Sequence, residues 1–529
     1  MLLAGPAGAS LPSAQPLSTY VEARTADALG DQGRAARLYA SLLRGDPGNR
    51  NLAARAISAS IDSGDMRLAI SVARSLPRSE LKLDTRLLLI GDALRRDKPD
   101  EALSLLAGVD GDPDGAFVTP LIRAWTVRDG AAILASLPGD AVIAAFAAEQ
   151  QASILLARGR ADEALALIPK ALAGAGGRET RLRLNFAALL ARAGKKEQAQ
   201  ALLSGSDPAL ARLDINRPQR GIAVDSAADG FAEMLLGLAV GLARGEERAL
   251  PLTLVQIARH TSPDNSEASI LAALLLGQTG RSADALSVLD SIPADDPFAE
   301  DVLDATARLL LETGRGPEAL GRAKAAVARP GPTAGALARL GNVLDDLDRH
   351  GEAAEAYGRA AAIADAANAD NRWSFRLLRA AQLDQLDRWP EARAELKAGL
   401  AVAPNHPLLL NYLGYGSLER GENLDEAEAM IRRALAMRPG DSSITDSLGW
   451  ALYKRGRLAE AISTLRSAAA SEPAEAEIHE HLGDALYRAG RRYEARFAWR
   501  AALVTADAAE AKRIEAKISS GWTPSTAAP

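Results

Sequence analysis

Five histidines and no cysteine make up the imidazole and thiolate supply of this 529-residue chain. His479 and His481 stand two residues apart, and on a helix such neighbours point in different directions, whereas a helical metal pair is spaced four apart. Glu477 has that spacing from His481, but two ligands do not make a zinc site. His481 directly precedes Leu482-Gly483 and is expected to pack against a neighbouring helix. The carboxylate pairs Asp295-Asp296 and Asp345-Asp346 fall at expected helix ends or turns, where water solvates them. Gly194-Lys195 lacks the earlier Gly and the Ser/Thr of a phosphate-binding loop, and Gly414-Tyr415-Gly416 follows no expected strand. No Gly-x-Ser-x-Gly elbow occurs. The absence of Cys removes thiolate zinc sites, a Cys nucleophile and a lipidated N-terminal Cys together. These residues assign no catalytic group, metal or cofactor.

The elements that carry these residues are helices. Apolar residues make up 48% of the chain while aromatics are 4%, so the apolar share is mostly Ala and Leu, strong helix formers. The expected class is all-α. The 62 basic and 68 acidic residues give a net charge of −6 and lie in small mixed clusters, without the basic stripe of a nucleic-acid binder. Met234–Ala243, the longest apolar stretch, falls short of the roughly 20 residues of a membrane-spanning helix. Residues 1–18 are rich in small residues and uncharged, and Leu2-Leu3-Ala4 followed by Ala7-Gly8-Ala9 reads as the tail of a secretory signal with its cleavage site. The basic start and most of the apolar core of such a signal are missing, so an ordinary leader stands beside this reading.

Internal repeats organise the rest. Leu413-Gly414, Leu448-Gly449 and Leu482-Gly483 open three similar stretches whose glycines are 35 and then 34 residues apart. Ala461 and Ala495 are 34 apart, as are Pro439 and Pro473. Leu448 and Leu452 form the apolar stripe of a first helix, Gly449 admits the partner helix closely, and Gly456 supplies a left-handed cap. Ala461, Leu465 and Ala468 line the second helix, and Pro473 ends it. The register runs upstream through Gly280, Gly314 and Asp348, again 34 apart, and through Gly30 and Gly64. Ala102, Ala164 and Ala199 mark further second helices, and Phe117 to Pro138 reads as a decayed hairpin.

This pattern resembles the tetratricopeptide repeat, a 34-residue helix–turn–helix family. The resemblance implies a superhelical solenoid, here of about fourteen hairpins with the N-terminal ones degenerate. It divides the chain into a leader (1–18), a degenerate N-terminal block (19–204), an irregular connection (205–229), a C-terminal block (230–508), and a helix end with a disordered tail (509–529). The connection, interrupted by Pro, Gly and Asp, is expected to be exposed.

In this family first helices line the concave surface. Trp450 lies about 200° around its helix from Leu448, with Asp446, Tyr453 and Lys454 nearby. The same offsets select Asn411 and Tyr415 on the preceding repeat and Glu480, Asp484, Tyr487 and Arg488 on the following one. Twelve of the 21 aromatic residues fall between Trp373 and Trp522. Phe497 and Trp499 are expected in the core, whereas Trp450, Tyr453 and Tyr487 are expected to form an exposed aromatic ladder in a groove. The alternative is that these rings cover the next first helix. Of the family's chaperone-tail clamp, whose places here hold Ala338 and Asn342, then Leu377 and Ala381, the Asn is present but the basic partners are not.

The expected function is a non-enzymatic scaffold that holds a protein or peptide in its groove. The C-terminal repeats resemble those of large bacterial periplasmic and outer-membrane-associated tetratricopeptide proteins. That resemblance implies a cell-envelope adaptor, with a periplasmic protease or envelope assembly machinery as partner, although no Cys is present for lipidation. The alternatives are a cytoplasmic assembly factor of co-chaperone type and an array accessory to a catalytic domain, for which no stretch is left over.

Overall fold

The computed structural model describes residues 15–107, 118–127, 129–136, 141–204, 210, 213–217, 219–243, 245, 249–328 and 331–528. The leader motifs around Ala4 and Ala9, and the ends of the expected decayed hairpin at Phe117 and Pro138, lie outside them. Among the described residues every regular element is helical. Fourteen successive helix pairs can be counted there, from Gln15–Ala28 with Gln32–Gly45 to Ala476–Arg488 with Arg492–Ala502. One second leg is broken in two, Ala161–Leu165 and Ile168–Ala173, and a final helix spans Ala508–Ser520.

The hairpin follows from its turn. Gly456 adopts φ 75°, a left-handed conformation in which a side chain is strained. There its N–H bonds Tyr453 O at 2.9 Å and the next N–H, of Arg457, bonds Leu452 O at 2.9 Å, satisfying carbonyls that the helix leaves open. Asp348 takes the same role at φ 56°. A further periodic feature follows the turn. Arg281, Arg315, Arg349, Arg388, Arg457 and Arg491 each pair with the carboxylate three residues on, in the first turn of the second helix. These carboxylates also suit the positive end of the helix dipole.

The chain forms two compact units, Met1–Ala319 and Leu320–Pro529. In the second, hairpins stack in series and each first helix packs closely on its own second helix. Gly449 lies so near Leu465 that a Cβ would stand 2.5 Å from Leu465 Cγ. The buried Ala461, Leu465 and Ala468 complete that contact.

The first unit is not a simple linear array. Its Ala249–Thr261 helix packs against Arg50–Ser63 and Leu83–Arg95 as well as its sequence neighbour Ala227–Leu242. Gln256 and Arg281 both donate to the carbonyl of Asp62. Ala227–Leu242 buries Phe231, Met234, Leu235 and Leu236, and an apolar surface that wide needs several covering helices. Arg178 and Arg181, both buried, converge on Glu233, and Arg178 also reaches Glu149. The boundary between compact units therefore falls at Ala319/Leu320, not in the 205–229 connection. That connection was expected to be exposed, yet Leu213, Ile222 and Val224 are buried and Val224 N–H donates to Asn185 at 2.8 Å.

The C-terminal segment corrects a second expectation. Residues 509–528 form the last helix and a tail that folds back onto the final hairpin. Asp484 accepts hydrogen bonds from Trp522 Nε1 at 3.1 Å and from the Ala528 N–H at 3.0 Å. The buried carboxylate supplies an anchor that the Ser-, Pro- and Ala-rich composition does not reveal.

Candidate partner-binding groove

Four first helices of the second unit, Arg372–Gln385, Pro407–Glu419, Ser442–Lys454 and Ala476–Arg488, contribute to one open cavity of about 870 Å³. Each repeats the same arrangement: the face with the leucine stripe meets the second helix, and the opposite face is left for the neighbouring first helix or for solvent. Asn411, Tyr412 and Tyr415 line the cavity centrally, between Asp384 and Arg420 on one side and Asp446, Glu475 and Glu477 on the other.

The cavity wall is held by polar contacts. Arg420 donates to Asp384 at 2.5 Å and covers the Trp389 ring at 4.4 Å. Tyr412 OH donates to the same carboxylate at 3.2 Å, and Tyr415 OH donates to Glu477 at 3.3 Å. Burial, reinforced by Glu477, Glu419 and Asp446, pushes the Tyr415 hydroxyl well above its ordinary pKa, so it stays protonated and donates. Burial also raises the Glu477 carboxyl. The Asn411 side-chain oxygen is buried and has no hydrogen-bond partner.

The expected residues separate into two groups. Asn411 and Tyr415 line the groove, with Asp446 at its floor. Trp450 and Tyr453 are buried, Trp450 completely, so the expected exposed ladder is not there. Trp450 lies between Tyr453, with ring centroids 4.4 Å apart, and His481, at 4.0 Å. Its indole N–H donates to Glu419 at 2.5 Å, and Lys454 holds the other oxygen of that carboxylate at 3.1 Å. Arg488 covers the Tyr453 ring at 4.8 Å. Glu480 and Asp484 are buried beneath the Ala508–Ser520 helix, where Lys517 joins them, and the partly buried Tyr487 packs on Trp499. The Trp450 and Tyr453 rings face away from their own hairpin, but the following first helix covers that face, whereas Tyr487 packs on Trp499 of its own hairpin.

His481 accounts for much of the covering. It is fully buried and donates from Nδ1 to Asp446 at 2.9 Å. Burial alone would disfavour its charge, but the Asp446 carboxylate outweighs that and pushes its pKa up to about 9. Asp446 is thereby committed to an internal ion pair. Phe497, expected in the core, is instead exposed, whereas Trp499 is buried. Asp384, Tyr412, Glu419, Arg420, Glu475 and Glu477 were missed, although the 34-residue offset that selects Asn411 and Tyr415 also leads to the preceding first helix.

Known families match the same stretch. A tetratricopeptide repeat model matches residues 305–369 and 377–442, and a TPR repeat model matches 449–490. Residues 305–369, 377–442 and 449–490 are tetratricopeptide repeats. Over 67 residues it is 37% identical to the TPR repeat-containing protein PA4667 of Pseudomonas aeruginosa; this is 13% of the present chain and 11% of that relative. The solved structures it resembles include yeast Tom70, at TM-score 0.40 and 11% identity, covering 96% of this chain and 95% of that one. The Cut9–Hcn1 hetero-tetramer of the APC/C gives 0.37 and 16%, covering 95% and 96%. Nothing about function follows from either likeness. As a tetratricopeptide array, the second unit is a protein-interaction scaffold.

Proposed function

We propose that the groove between Asp384 and Glu477 holds an extended segment of a partner protein. The observation that carries this reading is Asn411. A buried amide oxygen without a partner is uncommon in folded proteins, and the Asn411 side chain lines an open cavity, so a turn of the amide would present that oxygen to a peptide N–H. Glu475 and Glu477, which have no Lys or Arg in ion-pair range among the described residues, favour a segment with basic side chains. A peptide-display selection against the intact protein tests this. Selected peptides should be enriched in Lys and Arg, and Asn411→Ala with Tyr412→Ala should weaken their binding at least tenfold without loss of helix. Selected peptides that bind the double variant as tightly as the parent would overturn the proposal.

We further propose that the protein is a non-enzymatic adaptor of the bacterial cell envelope. The support is the signal-like leader composition together with the resemblance of the C-terminal repeats to envelope tetratricopeptide proteins; a periplasmic protease or the envelope assembly machinery would be the partner. Mass spectrometry of the mature N-terminus decides between the compartments. Cleavage near Ala9 means export, and an intact leader on protein recovered from the cytoplasm would favour an assembly factor there.

A further inference from the structure

The outer helix of the last hairpin, Arg492–Ala502, has two unlike faces. Ala495, Ala498, Trp499 and Ala502 are buried against the hairpin. On the opposite side Tyr493 is 77% exposed and Phe497 52%, and Val504 just beyond the helix end is 81% exposed. At 3.6 residues per turn, Arg492, Arg496 and Arg500 form a row beside Tyr493 and Phe497, all within about 140° of arc. The two rings meet edge to face with centroids 4.9 Å apart, and Arg500 lies 6.0 Å from the Phe497 centroid. The carboxylate on this helix, Glu494, is already engaged by Arg491 and Arg466. None of Arg492, Arg496 and Arg500 has a carboxylate in ion-pair range among the described residues.

Exposed aromatic rings on one helix face are costly to leave in water, and the three guanidiniums beside them meet no carboxylate among the described residues, Arg492 lying over the Tyr487 ring at 5.5 Å, in a chain whose net charge is −6. We propose that this face docks on an anionic lipid surface. The guanidiniums would meet phosphate headgroups, and Tyr493, Phe497 and Val504 would enter the boundary between headgroups and acyl chains. The charge selects an anionic occupant. A lipid surface is favoured over an acidic protein because Tyr493, Phe497 and Val504 stand exposed on the same side as the arginines, an apolar edge beside a cationic row that suits immersion at a headgroup boundary. The surface lies apart from the groove residues and does not depend on how the groove is used.

The test is co-sedimentation of the intact protein with vesicles. One set contains phosphatidylglycerol in phosphatidylcholine, the other phosphatidylcholine alone. Binding is expected to the first set and not the second, and to fall as salt rises. Each arginine near such a surface contributes about fivefold in affinity, so replacing Arg492, Arg496 and Arg500 by Gln should weaken binding on the order of a hundredfold. Tyr493→Ala with Phe497→Ala should weaken it several-fold at unchanged charge. All five side chains are exposed, and an unchanged circular dichroism spectrum and melting profile would establish that the variants fold. Absence of vesicle binding overturns the proposal, as does binding that the triple variant retains. Arginine-dependent binding of an acidic peptide or of nucleic acid, without vesicle binding, would also overturn it.

Discussion

Lys517 offers the sharpest test of how the second unit is closed. Its amine is fully buried and donates to Glu480 at 2.6 Å and to Asp484 at 2.7 and 2.8 Å. Arg513 also holds Glu480, and Trp499 and Trp522 donate to Asp484. Lys517→Met keeps most of the side-chain volume but removes the charge that balances two buried carboxylates. Breaking a buried ion pair in this way costs about 3–5 kcal/mol. The value should lie toward the lower end here, because both carboxylates keep other donors. In a stacked array the loss should be local: amide hydrogen exchange of residues 476–528 should accelerate by about two orders of magnitude or more, while the first unit is unchanged. Adding Asp484→Asn should recover part of the loss, since it removes one uncompensated charge while its single carbonyl oxygen can keep Trp522 Nε1 and the Ala528 N–H, at the cost of the Trp499 bond to the other oxygen. If Lys517→Met exchanges like the parent protein, the final helix is not held by this amine. If the double variant is worse than the single one, the defect is lost hydrogen bonding and not unbalanced charge.

Other substitutions probe the same unit. Trp450→Ala should lower the stability of the second unit by about 3–5 kcal/mol, the usual cost of emptying a buried aromatic site, read as the denaturant midpoint. Gly449→Leu should cost about 1–3 kcal/mol or more by overpacking, because even a Cβ there meets Leu465; an unchanged melting transition would mean the hairpin contact is misplaced. His481, with its folded pKa raised to about 9, contributes stability that is fully present below its unfolded value near 6.5 and is lost as pH rises through 9. The melting temperature of the second unit should therefore fall between pH 7 and 9.5, and His481→Gln should flatten that slope.

The fold was legible because its determinants are local and periodic. Gly456 and Asp348 mark turns through a backbone conformation that few residues adopt, and Gly449 with Ala461 marks a close approach that admits little bulk. Such features recur every 34 residues and need no knowledge of distant contacts. Closure of the first unit was not legible in this way. The contacts of Gln256 and Arg281 with Asp62 link residues about two hundred positions apart, and no repeat period encodes them.

The groove was legible only in part, and the reason lies in what helical angle can decide. The offset of Trp450 from Leu448 shows correctly that the ring leaves its own hairpin, but that direction leads either to solvent or beneath the next first helix. Which one applies depends on side chains 31 to 35 residues away. His481 fills the space over Trp450 and ties Asp446 through a buried ion pair, so both residues become structural. Two repeats earlier, Tyr412 stands where His481 does and turns its hydroxyl to Asp384, while on the intervening repeat that place holds the short Ser447, whose hydroxyl donates to Ser443 O, leaving Asn411 and Tyr415 beside an open cavity. An open groove therefore requires two conditions on adjacent repeats: a polar side chain at the outward position, and no covering residue from the next helix that satisfies it. The Asn411 oxygen meets both, and for that reason it, and not the aromatic pair one repeat later, marks where a partner should be sought.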